Sequence, residues 1–172
     1  MTFIASPGFV NVYFIEDATG LVMIDCGVDG TEYLELLENK MASVGISFDD
    51  IKLLIGTHMH SDHIGLSSTI RAKGIPFALY KNSVDFIKGY NDWSIRFKKL
   101  KEYARKEGAP NDFLNDLDQI ETPKFAGKIS EPEMLLDEGR LKDISRNIEI
   151  IFTPGHDRTE ISILDNPSKI LF

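Results

Sequence analysis

Disulfide chemistry is closed to this sequence. Its 172 residues include one cysteine, Cys26, and a lone thiol cannot close an intramolecular bridge, so no oxidised framework supports the fold. A nucleophilic role for Cys26 stays open in principle, although lone cysteines are ordinarily packing residues. Positive charge is in deficit as well. Lys and Arg number 19 against 27 Asp and Glu, a formal net charge of -8, and a field of that sign repels phosphate backbones, so nucleic acid is not an expected partner. No apolar run approaches the ~20 residues of a bilayer span, and no membrane partner is expected either. The opening "MTFIASPGFV" has neither a charged leader nor a sustained apolar segment, which makes the cytoplasm the expected location. Internal repeats and low-complexity tracts are missing too. What is present is a 42% hydrophobic, 27% charged chain, the balance of a globular protein, and 172 residues suit a single domain with its own core.

Along the chain, "FVNVYFI" (9–15) and "LVMID" (21–25) are β-rich runs joined by "EDATG", a hairpin signal with Gly20 in the turn. The period then changes. Tyr33, Leu37, Met41 and Val44 recur at helical spacing, Asp29 and Glu32 fit a capping box, and Gly45 stops the run. "IKLLIG" (51–56) is continuously apolar, as a strand buried on both faces would be. A short helix over 64–74 and a strand over 76–80 come next, giving the order ββαβαβ. From 82 to 120 the pattern is helical, with Trp93, Phe97, Leu100 and Ala104 on one stripe and a break at Gly108-Ala109-Pro110. This reads as a helical insertion. The remainder divides into short strands with turns at Glu138-Gly139 and Asn166-Pro167.

Histidine is scarce, and its placement is uneven. Of four histidines, three fall between His58 and His63 in "GTHMHSDHIG", directly after the strand "IKLLI". Side chains at i and i+2 of an extended segment share a side, so His58 and His60 can grip one cation together. Asp62 and His63 then offer donors to a neighbouring point. Binding sites of α/β sheets form outside the carboxyl ends of strands, where this loop lies. The fourth histidine, His156 in "TPGHD", also comes after an apolar run; alone it could be a turn residue, but a site short of one neutral ligand makes it a candidate.

The residues "THMHSDHIG", with "VMIDCG" upstream and "FTPGHD" downstream, resemble the metallo-β-lactamase-fold hydrolases, in order along nearly the whole chain. That resemblance implies an α/β fold, the αββα sandwich, with one or two divalent metal ions at one edge between the sheets, zinc most of all, with iron or manganese also suited. By position it implies His58, His60 and His156 as ligands of the first metal and Asp62 and His63 as ligands of the second. Asp25 matches the strand-end aspartate that supports the ligands from behind; its alternative is a strand-end cap. Family members continue past the strand equivalent to "KILF" into a segment carrying a bridging aspartate and a further histidine. The chain therefore reads as residues 1–172 of one domain shortened at its C-terminus, with the second half of the sandwich incomplete. An uncovered sheet face is the expected consequence, and with it a homodimer or swapped dimer.

The implied reaction is metal-dependent hydrolysis by an activated water, with Asp62 orienting that water or shuttling its proton. A carboxylic ester, a lactone or a thioester of the glyoxalase II type is the expected substrate. Two other readings stand beside it: a phosphodiesterase or nuclease of the same fold, and a non-catalytic metal-binding or assembly module. Within the insertion, Lys98, Lys99, Lys101, Arg105 and Lys106 form a basic run that either attracts an anionic substrate or is simply a solvated helix face. Arg158 and Glu160 have salt bridging in a turn as their default reading.

Overall fold

The computed structural model describes residues 2–5, 8–90, 92–117 and 129–172. Strands β1 (Thr2–Ala5) and β2 (Gly8–Asn11) form an antiparallel hairpin. Beyond it lies a five-stranded sheet in the order β3 (Tyr13–Asp17), β4 (Gly20–Ile24), β5 (Ile51–Ile55), β6 (Phe77–Tyr80), β7 (Met134–Leu136). Its first pair is antiparallel and the rest are parallel. The parallel connections carry the helices α1 (Thr31–Ser43), α2 (Ser61–Ile64), α3 (Ser67–Ala72), α4 (Val84–Tyr90), α5 (Trp93–Lys106) and α6 (Asn111–Asp116). A second, antiparallel sheet has the order β11 (Ile170–Leu171), β10 (Ile161–Asp165), β9 (Ile148–Phe152), β8 (Gly139–Arg140).

Strand alternation explains the layering. Met23, Leu54, Phe77 and Leu79 leave one face of the five-stranded sheet and pack with Leu37 and Met41 of α1, Ile70 of α3 and Ile87 of α4. Val22, Ile24, Leu53, Ile55, Ala78 and Tyr80 leave the other face and meet Ile148, Ile150, Ile161 and Ile163 of the second sheet. The Tyr80 and Phe152 rings stack across that interface, 4.7 Å between centroids. Buried on both faces, the central strands read as continuous apolar runs for this reason. Among the described residues no helix is long and apolar enough to cross a membrane.

The second sheet also corrects an expectation. Among the described residues, the inner face of the first sheet, expected to lie bare, packs against β9 and β10. Other departures are local. "FVNVYFI" divides between β2 and β3, which pair with β1 and β4 respectively, because uniform β propensity does not mark where a chain changes partner. The N-cap of α1 is Gly30, with φ 142° and no side-chain cap; at a φ that L side chains rarely adopt, glycine takes the place the Asp29–Glu32 box was expected to fill. The capping box lies instead at Ser47, whose backbone N–H donates to the Asp50 carboxylate at 2.7 Å. Val44 falls just beyond α1 and is exposed, while Leu37 and Met41 are buried. Helix begins at Ser61, ahead of the expected 64. In the insertion, Ala104 packs with Leu114 and Leu117, but Leu100 is exposed; the helical reading of 118–120 lies outside the described residues.

Candidate metal centre

Parallel strands β4 and β5 deliver their carboxyl ends to one edge of the sheet, and the two chain segments leaving them are tied together there. Asp25, directly after β4, takes φ 58° and is buried. Its carboxylate accepts the Thr57 N–H at 2.8 Å and the Thr57 hydroxyl at 2.9 Å, and lies 2.6 Å from His63 Nδ1. The Cys26 and Gly27 N–H groups both donate to the His63 carbonyl, at 2.7 and 3.1 Å. Helix α2 is thus seated on the turn after β4. Gly65 makes this seating possible: a Cβ there would stand 2.4 Å from both Asp29 N and Ser61 O. Cys26 is fully enclosed, and burial pushes its thiol well above the ordinary range, so it is a packing residue and not a nucleophile.

Three of the four histidines present ring nitrogens to one point. His58 Nε2 is 3.1 Å from His60 Nδ1, and His156 Nε2 is 2.9 Å from the same atom; donor atoms of the three rings all lie within 4.8 Å of one another. Four bonds of ~2.05 Å in tetrahedral array place ligand nitrogens roughly 3.3 Å apart. The donor set therefore fits a single divalent cation. His156 reaches the point from the loop after β9, 96 residues away in sequence from His60. Its backbone is placed by β9 and β10, and the start of β10 is bound to the histidine loop by the Ile161 N–H donating to the Thr57 carbonyl at 2.9 Å.

Burial, with His63 and His60 adjacent, lowers the His58 pKa to about 3. Burial and the neighbouring His156 lower that of His60. Both rings are consequently neutral at pH 7, the form that ligates metal. His63 differs. Burial opposes its charge, but the Asp25 carboxylate, aided by Asp62 and Glu160, outweighs that and raises its pKa.

Asp62 and His63 stand beside the three-histidine group, not in it. His63 Nδ1 is held by Asp25, and its Nε2 lies 3.8 Å from Asp62 Oδ2, with the Asp62 side chain 48% exposed. Among the described residues this second position has two protein donors. Thr57 was not singled out from the sequence, yet its hydroxyl lies 2.9 Å from His58 Nδ1 and donates to Asp25. Asp157 was likewise overlooked, and its Oδ2 is 3.8 Å from His60 Nε2. Contact through space, not spacing along the chain, gives both their place. Among the described residues Arg158 forms no turn salt bridge of the expected kind; its guanidinium lies over the Phe86 ring, 5.3 Å from the centroid. Glu160 helps to line a cavity of about 260 Å³ beside the centre, with Tyr13, Asp25, His58, His63 and Phe172.

The family comparison agrees with this geometry. The model of the metallo-beta-lactamase superfamily matches residues 5–172. The metallo-beta-lactamase fold-containing protein ST1585 of Sulfurisphaera tokodaii is 28% identical over 170 residues, covering 92% of this chain and 54% of that protein. The "Probable metallo-hydrolase YqjP" of Bacillus subtilis is 31% identical over 94 residues, covering 52% and 28% respectively. Among solved structures, the metallo-beta-lactamase family protein TTHA1429 of Thermus thermophilus superposes with a TM-score of 0.72 at 21% identity, over 96% of this chain and 54% of the other. The chain thus spans about half the length, or less, of the relatives it matches. It belongs to the metallo-beta-lactamase superfamily.

Proposed function

We propose that this metallo-beta-lactamase superfamily chain holds one divalent cation between His58, His60 and His156 and serves the hydrolysis of a carboxylic ester, thioester or lactone. The observation that carries the proposal is the convergence of three ring nitrogens from two distant loops, two of them on rings that burial keeps neutral. A cation held there supplies Lewis acidity and a water acidified towards ~7. Zinc suits the imidazole set best, and iron or manganese also fits it.

The chain's own residues divide the remaining work. Thr57 and Asp25 orient His58 and His63 through their outward nitrogens. Asp62, half-exposed at the open side next to His63, can accept a proton from a water there and hold it in line. The adjoining cavity offers the Tyr13 and Phe172 rings, 5.0 Å apart, as an apolar wall for an acyl group. Asp25, Asp62, Asp157 and Glu160 gather negative charge around the centre, which disfavours a polyanionic nucleic-acid backbone and favours a neutral or weakly charged acyl substrate.

A thioester, lactone and phosphodiester panel, assayed with zinc, iron or manganese supplied in turn, tests the reading. Metal-dependent turnover of an acyl substrate, lost in His58→Ala and Asp62→Ala, is expected. Metal binding without turnover of any substrate would assign the chain to the non-catalytic metal-binding class, and turnover of the phosphodiester alone would move it to the nuclease class.

A further inference from the structure

We infer that Asp157 is a positioning residue that selects the tautomer of His60, an inference resting on the three-histidine cation site proposed above. His60 turns Nδ1 towards His58 and His156, at 3.1 and 2.9 Å. Its Nε2 therefore faces away, and the group it faces is Asp157 Oδ2 at 3.8 Å. At that distance the carboxylate faces the neutral ring across a short gap, and the contact is not a closed hydrogen bond.

The carboxylate is fixed independently of His60. Its other oxygen, Oδ1, accepts both the N–H and the hydroxyl of Thr159, each at 2.6 Å, and Thr159 is buried. Asp157 also belongs to the loop that carries His156, whose turn it closes by accepting the Gly155 N–H on its carbonyl at 3.1 Å. One loop therefore brings both a ligand of its own and a charged buttress for a ligand from another loop. An ionised carboxylate can only accept. Facing Nε2, it favours the tautomer with the proton on Nε2 and leaves the lone pair on Nδ1, where the three rings converge. His58 has the corresponding support from Thr57. Partners of this kind typically alter metal affinity 10- to 100-fold.

Asparagine makes the test discriminating. In Asp157→Asn the Thr159 donors still require an oxygen at Oδ1, so the amide NH2 must face His60 Nε2. A donor in that position favours the opposite tautomer and removes the Nδ1 lone pair. Asp157→Ala removes the bias without reversing it. Imidazole nitrogen shifts in long-range 1H–15N spectra of the metal-free 172-residue chain at pH 8 report the tautomer. Chelator competition gives the zinc affinity, and a thermal melt of each metal-free variant reports folding. The expected result is His60 protonated on Nε2 in the native chain, on Nδ1 in the Asn variant and mixed in the Ala variant, with zinc affinity falling in the order Asp, Ala, Asn and at least 10-fold at the last. An unchanged tautomer in the Asn variant, or an Ala variant that binds more weakly than Asn, overturns the inference. Should the Asn variant fail to fold, the Ala variant decides by whether its His60 tautomer becomes mixed. Failure of the native chain to bind zinc would sink the cation site, while the metal-free spectra would still judge Asp157.

Discussion

Replacing Arg146 with alanine should destabilise the fold by about 3 kcal/mol at pH 7. Arg146 precedes β9 and forms a bidentate pair with Asp165 at the end of β10, its Nε and Nη2 donating to the carboxylate at 2.7 and 2.6 Å. Its Nη1 donates to the Glu16 carbonyl at 3.2 Å, and its backbone N–H to the Asp17 carboxylate at 2.6 Å, which joins the second sheet to the end of β3. The Asp165 side chain is 3% exposed and that of Arg146 28% exposed. Removing one partner of a buried ion pair costs about 3–5 kcal/mol; water entering the partly open arginine site argues for the lower end. The pH dependence supplies a second check. Arg146 and Ser168 hold the Asp165 pKa at about 2, below its ordinary 3.8. A depressed carboxylate contributes stability in full above its unfolded pKa and loses it as pH falls through the folded value. The gap between native and variant proteins should therefore be widest from pH 7 to 5 and narrow between pH 4 and 2. Urea unfolding followed by far-UV circular dichroism at pH 7, 5 and 3.5 measures it. A loss below 1 kcal/mol at pH 7, or one that is the same at all three values, would refute the reasoning.

His58→Ala should reduce bound metal from about one per chain to near zero by elemental analysis, since two histidines make a poor divalent site; retention of a full equivalent would show that the ion sits elsewhere. Gly65→Ala drives a methyl into the Asp29 and Ser61 backbone atoms, at a cost of about 2–3 kcal/mol, so a melting temperature within a degree of the native one would contradict the close approach. Asp25→Ala strips acceptors from Thr57 and His63 and should lose about 3 kcal/mol, with Asp25→Asn recovering part of it in the same melt. Phe77→Ala empties a fully buried ring site between sheet and helices, for an expected loss of about 3–5 kcal/mol in urea unfolding.

Patterns that depend on neighbours in sequence were legible in advance. The run "IKLLI" is β5, and His58, His60 and His156 do meet, because the end of a strand fixes the position of the next few residues. The α1 stripe of Leu37 and Met41 is likewise buried. The features that escaped are set by residues far apart. Thr57 acquires its place only when the ends of β4 and β5 lie side by side, and Asp157 only when the second sheet carries its loop to His60. The mistaken cap of α1 had another source: Asp29 and Glu32 match a capping pattern, but the chain turns at Gly30 through a φ of 142° that no pattern of polar residues announces. The bare sheet face was expected from the shortened C-terminus, yet β8 to β11 already form a second sheet, and its Ile148, Ile150, Ile161 and Ile163 pack on that face.

The same inner faces explain how histidines so distant in sequence reach contact distance. Strands β9 and β10 run the height of the second sheet, five residues each or ~17 Å at ~3.3 Å per residue. At one end Arg146 and Asp165 anchor them to each other and to the end of β3; at the other, His156 and Ile161 face the histidine loop. Between these ends lies the isoleucine interface, dense enough that a shift of one sheet past the other must disturb many contacts together. The position of His156 relative to His58 is thus a property of the whole inter-sheet core, pinned at both edges. Metal geometry tolerates errors of only about 0.2 Å, and a flexible loop on its own would not hold that tolerance. The polar clamp at the far edge and the Thr57–Ile161 bond at the near edge are therefore parts of the same device: one sets how the sheets lie, and the other fixes that arrangement where the imidazoles converge.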